Sequence, residues 1–545
     1  MTELQRQLQL AKFYRKLKIL VVDDFENFRL SIKQMIRSFG VERIEVASNG
    51  EDAVARCERE SFDVIICDYN LGAGKNGQQA LEELRYNKVL KHTSLFVMVT
   101  AETSKDMVMG ALEYLPDGYI TKPITKAVLQ KRLDNLVEQR ETLKPINAAV
   151  DKEDLDLAVE LLDKEIKSNT KYVTWCLRTL ANIYYQKEEF ALAKKIYENV
   201  LSKRDIGWAR LGMGKVRIAL GENEEAVADL TGLLQSNGNL IEAYDALADA
   251  YLNLGKAKQA QQTLEEAVAI SPHAIMRQKK LAKVADDNRD YESASDAHRK
   301  TMKLGFNSVH ESAENYLNLG RCLSDLAEGD PTEEGKKRAK EAVHTMERVA
   351  KKFKDDSNVK MSAALIEARV HKGQGDERKS NEAMAKAEKV MNVADADPQT
   401  ALEFAKTLYQ MGRASEAESL LSDLAAKHAS NSAIISQIEE LLDEPVSLKQ
   451  KAKARALNKE GIGAFEKGDL AGAIKVFEEA MVVTPKHPAL NLNMIQVMLK
   501  QIDLQGGNPE LKRKCQACLE NVKHIPEQHR QFKRLQFLIK KVAAL

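Results

Sequence analysis

The chain has 545 residues, too many for one domain, and its Lys+Arg 82 against Asp+Glu 81 leave a formal charge of +1, so no global field favours nucleic acid. Charged residues at 30%, aromatics at 6% and hydrophobics at 44% fit a helix-rich protein with ordinary cores. No run approaches the ~18 apolar residues of a membrane span, and the N-terminus has no apolar signal core, so a cytoplasmic location without membrane contact is expected.

Residues 1–15 predict a short amphipathic helix that packs as an extension. Lys18 to Val22 is an apolar strand ending in Asp23 and Asp24. Glu26 to Phe39 has helical spacing and stops at Gly40. Ile44 to Ala47 is a second strand, and Gly50 opens a helix carrying Ala53, Val54 and Cys57. Val64 to Cys67 is too short and apolar for a helix and reads as a buried parallel strand ending in Asp68. Gln78 to Tyr86 is helical, and Leu95 to Val99 is a fourth strand ending in Thr100 and Ala101. Lys105 to Tyr114 is helical, Gly118 to Thr121 is a fifth strand closed by Lys122 and Pro123, and Thr125 to Arg140 is a last helix.

Strand and helix alternate five times, the pattern of a doubly wound α/β domain with a parallel sheet. Right-handed crossovers bring the carboxyl ends of the strands together, where sites form. Asp23, Asp24, Asp68, Thr100 and Lys122 all stand at such ends. Three carboxylates at close range repel one another and lose solvation, and a hard divalent cation such as Mg²⁺ removes that conflict. A carboxylate can attack phosphorus, a threonine hydroxyl can donate to a phosphoryl oxygen, and a lysine can pair with the phosphate.

At these residues the chain resembles the response-regulator receiver domain, over about residues 15 to 142. The acidic pair Asp23-Asp24, the acceptor Asp68, the Thr100-Ala101 step and the Lys122-Pro123 step match the family's motifs in order. The resemblance implies a flavodoxin-like five-stranded fold, with Asp68 accepting phosphate from a histidine kinase. Asp23, Asp24, Asp68 and the Asn70 backbone carbonyl would hold Mg²⁺. Tyr119, three residues before the lysine, falls where receivers carry an aromatic switch. One departure is the glycine-rich Leu71 to Gly77 loop, which stands where many receivers have a Met-Pro turn and bears on which kinase pairs with the domain.

LKPINAAV, residues 143–150, breaks the pattern around Pro145 and reads as a linker. Helix then follows helix with a period: Ala226, Ala260 and Ala294 are spaced 34 residues apart. Tyr244, Leu247, Ala248, Tyr251, Gly255, Ala260, Leu264, Ala267 and Pro272 match the tetratricopeptide repeat (TPR) pattern. Further copies appear around Ala181, Ala405 and Gly461, and the pattern is weaker between 306 and 400. This resemblance spans 151–500, and 501–545 reads as capping helices. Small residues let the two helices of a repeat touch, and stacking buries the faces that one pair leaves open.

Trp175 and Trp208 occupy the same position of successive repeats, with Arg178, Asn182 and Lys215 further along their helices. In that frame they line a groove for a peptide or partner helix. Cys515 and Cys518 with His524 and His529 lack the spacing of a zinc finger and read as packed helix surface. His310, His344 and His371 fall in charged helices without ligand or triad spacing.

The whole is similar to bacterial response regulators of the VieB type, with an N-terminal receiver at 16–142 and a TPR output. With no basic helix-turn-helix and no enzymatic output motif, the expected output is protein binding, not catalysis. The expected mechanism is phosphorylation of Asp68, movement of Thr100 and Tyr119, and freeing or re-orientation of the array. The alternative is a phosphate sink or kinase inhibitor whose TPR binding ignores phosphorylation.

Overall fold

The computed structural model describes residues 3–101, 115–390, 392–443, 448–506, 508–527, 529 and 531–543. The chain forms two compact units, Met1–Ser312 and Ala313–Leu545.

The first unit contains the α/β domain. Helix α1 (Glu3–Lys16) leads into β1 (Lys18–Val22), α2 (Glu26–Arg37), β2 (Arg43–Ala47), α3 (Gly50–Arg59) and β3 (Val64–Asp68). Then come α4 (Gly77–Tyr86), β4 (Leu95–Thr100) and β5 (Gly118–Thr121). The expected helix Lys105 to Tyr114 lies outside the described residues. All strand pairs are parallel, in the order β2-β1-β3-β4-β5.

Alternate strand residues face opposite layers. Ile19, Val21, Val64, Ile66, Val97 and Val99 pack with Ile32 and Ile36 of α2 and with α1. Leu20, Val22, Ile65, Cys67, Phe96 and Met98 pack with Ala53 of α3 and with Ala80, Leu81 and Leu84 of α4. The strand order reverses between β1 and β3, so their carboxyl ends open a crevice.

Helix α5 (Lys126–Asp151) corrects the linker reading of 143–150. It continues unbroken through Pro145. A proline inside a helix costs about 3 kcal/mol. Leu143, Ile146 and Ala149 are buried against Ala158, Leu162, Cys176 and Leu180. Burying an aliphatic side chain contributes about 1.5–3 kcal/mol, so Leu143 and Ile146 together offset the proline. The α1 extension packs along the same helix, where Tyr14 donates to Asp134 at 2.6 Å.

Four and a half hairpins follow in this unit: α6 (Leu155–Lys167), α7 (Val173–Gln186), α8 (Phe190–Lys203), α9 (Gly207–Ala219), α10 (Asn223–Ser236), α11 (Ile241–Asn253), α12 (Ala257–Ile270), α13 (Ile275–Asn288) and α14 (Tyr291–Gly305). Ala226, Ala260 and Ala294, the periodic alanines, are fully buried. Gly212 shows why small residues recur: a Cβ there would meet the Tyr197 ring at 2.2 Å.

The second unit is helical throughout its described residues, apart from connecting turns. It includes α15 (Ala313–Ala327), the long charged α16 (Glu333–Lys352), α17 (Ser357–Gly373), α18 (Glu377–Val390), α19 (Pro398–Gln410) and α20 (Ala414–Lys427). Further along, Gly461, Ala473, Phe477 and Ala480 pack as a repeat, and Cys515 and Cys518 sit in the apolar core of the last helices.

Candidate functional site

The carboxyl edge of the sheet gathers the chemistry. Asp23 follows β1, and its backbone N–H donates to Ala47 O at 3.2 Å. Its Oδ1 accepts from the Phe25 N–H at 2.8 Å, and its carbonyl accepts from Arg29 Nη1 at 2.6 Å. Asp68 ends β3, and the next N–H, of Tyr69, donates to Val99 O at 2.7 Å. Asp23 and Asp68 are buried and Asp24 is exposed. One carboxylate oxygen from each of Asp23, Asp24 and Asp68 lies within 4.8 Å of the others. It is the one such acidic cluster among the described residues.

Lys122 closes the pocket from the end of β5. Its Nζ is 2.8 Å from Asp23 Oδ2 and 2.9 Å from Asp68 Oδ2, and it sits 4.0 Å over the Phe28 ring. Its backbone N–H donates to Thr100 O at 2.7 Å, which ties the ends of β4 and β5 together. Thr100 is buried.

One lysine does not balance three carboxylates. Burial pushes the Asp68 carboxyl up to about 6; Lys122 pulls it down and Asp23 pushes it further up. Burial works against the Lys122 ammonium, yet hydrogen bonds to Asp23 and Asp68 raise it overall. All-oxygen donors carrying excess negative charge fit a hard divalent cation. Asp23, Asp24 and Asp68 are the residues that could hold it.

The other sequence-predicted residues surround this core. Asn70 is exposed, and its Oδ1 accepts from the Gly72 N–H at 3.3 Å. Ala101 is exposed just beyond Thr100. Tyr119 is half-buried against the layer containing Phe96 and Met98. In the glycine-rich loop, Lys75 pairs with Glu83, and its N–H donates to Glu51 at 2.8 Å. Gly77, which opens α4, must be glycine: a Cβ there would meet Asp68 O at 2.1 Å. Sequence reasoning missed the Phe28 ring beneath Lys122, because Phe28 also satisfies the apolar spacing of α2.

The tryptophans differ from the exposed aromatic pair expected for a groove. Trp175 is half-buried against the cluster of Leu143, Ala158 and Leu180. Trp208 packs edge-on against Tyr197, with ring centroids 6.0 Å apart, in a core that includes Ala181 and Met213. Its repeat neighbours recruit it into packing, and both rings are half-buried. Arg178, Asn182 and Lys215 are exposed.

A parallel doubly wound sheet with an acidic pocket and a lysine at its topological switch point defines the class: a flavodoxin-like α/β domain joined to a helical array. The comparisons with known proteins are specific. The response regulator receiver domain family matches residues 19–134, and the tetratricopeptide repeat family matches 241–273. The chemotaxis protein CheY-3 of Vibrio cholerae is 33% identical over 125 residues, covering 23% of this chain and 95% of that protein. CheY of Pseudomonas aeruginosa is 33% identical over 123 residues, covering 23% and 98%. A CheY-like receiver structure from Methanospirillum hungatei is 26% identical, covers 23% of this chain and 98% of its own, and has a TM-score of 0.22. Vibrio cholerae CheY4 is 27% identical, covers 22% and 98%, and has a TM-score of 0.21. The chain belongs to the response regulator receiver family and carries a tetratricopeptide repeat region after its receiver.

Proposed function

We propose that this is a two-component response regulator phosphorylated on Asp68 by a histidine kinase, which signals by TPR-mediated protein binding in the cytoplasm. The observation that carries the reading is Asp68 itself: a buried carboxylate at the sheet edge, paired with Lys122 and crowded by Asp23 and Asp24. In the transfer, an Asp68 oxygen attacks phosphorus as the N–P bond of a phosphohistidine breaks, giving an acyl phosphate and a free imidazole. Asp23, Asp24, Asp68 and the Asn70 carbonyl would hold Mg²⁺, which would supply charge neutralisation there.

Lys122 exchanges its pairing with Asp68 for the new phosphoryl oxygens. Thr100 donates its hydroxyl to one of them, with the exposed Ala101 step beside it, and Tyr119 turns inward. The protein is thus a phosphoacceptor promoting its own modification, not an enzyme acting on a separate substrate. The array supplies the partner surface, with Arg178, Asn182 and Lys215 as exposed candidates.

The test is partner capture from native lysate with and without Mg²⁺ and beryllofluoride, with Asp68→Ala as control. A partner gained or lost only in the wild type supports the reading. A partner set that ignores beryllofluoride overturns phosphorylation-gated binding and leaves a receiver that occupies or drains a kinase.

A further inference from the structure

Helix α4 has two faces. Ala80, Leu81 and Leu84 are buried in the receiver core. Gln79, Glu82 and Tyr86 share the opposite side, at the i, i+3, i+7 spacing of one helical face. That side meets the array within the first compact unit. Gln79 Nε2 donates to Phe306 O at 2.9 Å, across 227 residues of sequence. Glu82 Oε1 lies 2.8 Å from His310 Nε2, and Glu82 is only 9% exposed, although it stands on the polar side of its helix. The His310 ring packs edge-on against Tyr86 at 5.8 Å. Beside these contacts, a cleft of about 270 Å³ lies between Tyr69, Gln78 and Gln79 on one side and His273, Lys303 and Leu304 on the other.

The receiver is held at a second place. Asp151, at the end of α5, accepts from the backbone N–H groups of His92 and Thr93 at 2.6 and 3.1 Å, and Lys88 pairs with Glu153 at 2.8 Å. This attachment, the first along the chain, is reinforced by the unbroken helix α5. Hairpins α6 to α14 therefore leave the receiver at Asp151 and return to it at Phe306–His310. The return contact is the releasable one, because side-chain contacts between separate elements make it, whereas the other attachment is continuous with helix α5.

That contact sits against the acceptor. Gly77, the first residue of α4, donates its N–H to Tyr69 O at 2.9 Å and packs against Asp68 O too closely for a Cβ. Tyr69 OH donates to Gln78 Oε1 at 3.2 Å. A capping box between Asn76 and Gln79 sets the first turn of α4, with mutual bonds of 2.8 and 3.0 Å. The same Gln79 whose backbone and Oε1 complete this cap reaches Phe306 with its Nε2. Movement of the β3 end is thus passed directly to a residue of the docking face.

We propose that the α4 face of the receiver is a docking surface for the array's own 306–310 turn, and that this contact is a latch opened by phosphorylation of Asp68. Its opening half rests on the phosphoacceptor reading of Asp68; the latch itself does not. The partner of this face is a segment of the same chain, met by the Glu82 carboxylate, the Gln79 amide and the Tyr86 ring. Opening would swing the array about α5 and uncover both surfaces together.

The experiment is amide hydrogen exchange on the full chain, read in peptides covering 77–86 and 306–312. Glu82→Gln and His310→Ala are each expected to raise exchange in the opposite segment by roughly fivefold, the scale of one lost hydrogen bond. The double variant should go little further, since both remove one contact. Beryllofluoride on the wild type should open both segments, and Asp68→Ala should abolish that response. Changes confined to the mutated segment overturn the latch. Variants that open both segments, with beryllofluoride bound at 68–72 yet leaving them closed, overturn the phosphoryl control alone. Failure of beryllofluoride to protect 68–72 counts against the phosphoacceptor reading, while the variant result still decides the latch.

Discussion

The receiver pocket and the helical array handle charge in opposite ways. In the pocket, three carboxylates share one lysine, and Asp68 is left with its carboxyl pushed up to about 6. In the array, acids and bases are matched from one repeat to the next. Arg277 holds Asp245 through two bonds of 2.9 and 2.7 Å, and Lys280 holds Asp249 at 2.7 Å. The acids of α11 are answered by the bases of α13. An imbalance that the protein does not settle with its own groups marks a place for an incoming charge, whereas a matched ladder marks architecture.

The sharpest way to break this comparison is to remove the proposed acceptor. Asp68→Ala is expected to lower phosphoryl incorporation from a small phosphodonor by at least about 100-fold, as loss of a nucleophile does. A phosphate-affinity gel reads it, and circular dichroism should show unchanged helicity. Incorporation that persists would move the acceptor to Asp24 or Asp23.

The second unit provides the converse test, in which a matched group is orphaned. Glu403 is buried and bonded to both Arg321 and Arg369. Burial works against its carboxylate, but Arg321, Arg369 and Lys406 outweigh it and hold the group down to about 2. Glu403→Ala leaves Arg369, whose side chain is fully buried, without its partner. A loss of about 3–5 kcal/mol in denaturant unfolding is expected, with faster exchange over α17 and α19. A loss below about 1 kcal/mol would show that water reaches the arginines.

The two regions were also unequally legible. The strands could be read because they are short runs stopped by polar residues, and in four of the five that stop is a candidate site residue. Asp68, Lys122 and Asp23, which the structure brings together in one pocket, were therefore legible from the same feature that set the strand ends. The linker at 143–150 was misread because Pro145 signals a break locally, while Leu143 and Ile146 find tertiary burial that outweighs it. The repeat frame located Trp208 along its helix but could not say that Tyr197 would cover it. The Glu82–His310 contact left no pattern in the sequence, since it joins two domains, each regular by its own rules.

A smaller effect separates charge from chemistry within the pocket. The Asp68 carboxyl rises from an ordinary 3.8 to about 6, chiefly by burial. Between those values the folded state binds more protons than the unfolded one, so stability falls as pH rises through that window. Above about 6 the ionised carboxylate imposes its full cost. Asp68→Asn, measured at pH 8 in EDTA, should therefore stabilise the protein by roughly 1–2 kcal/mol. The gain should vanish below pH 4 and shrink when Mg²⁺ is added to the wild type. An Asp68→Asn variant no more stable than wild type at pH 8 would mean that Lys122 already neutralises Asp68.

The smallest effect is expected where the ladder is matched but wet. Lys280 Nζ reaches Asp249 at 2.7 Å and also donates to Asp245 O at 3.1 Å, yet the Asp249 side chain is 52% exposed. Water already solvates that carboxylate, so Lys280→Ala should cost no more than about 0.5 kcal/mol. Its consequence should instead be electrostatic. Removing the lysine leaves Asp249 unanswered beside Asp245 and makes this face of α11 more negative. A basic peptide that ignores the wild-type array should then bind the variant, with an affinity that falls as salt rises. No gain in binding would show that the acids here are spaced too widely to act together. The comparison would then rest on the receiver pocket, where burial and crowding occur together.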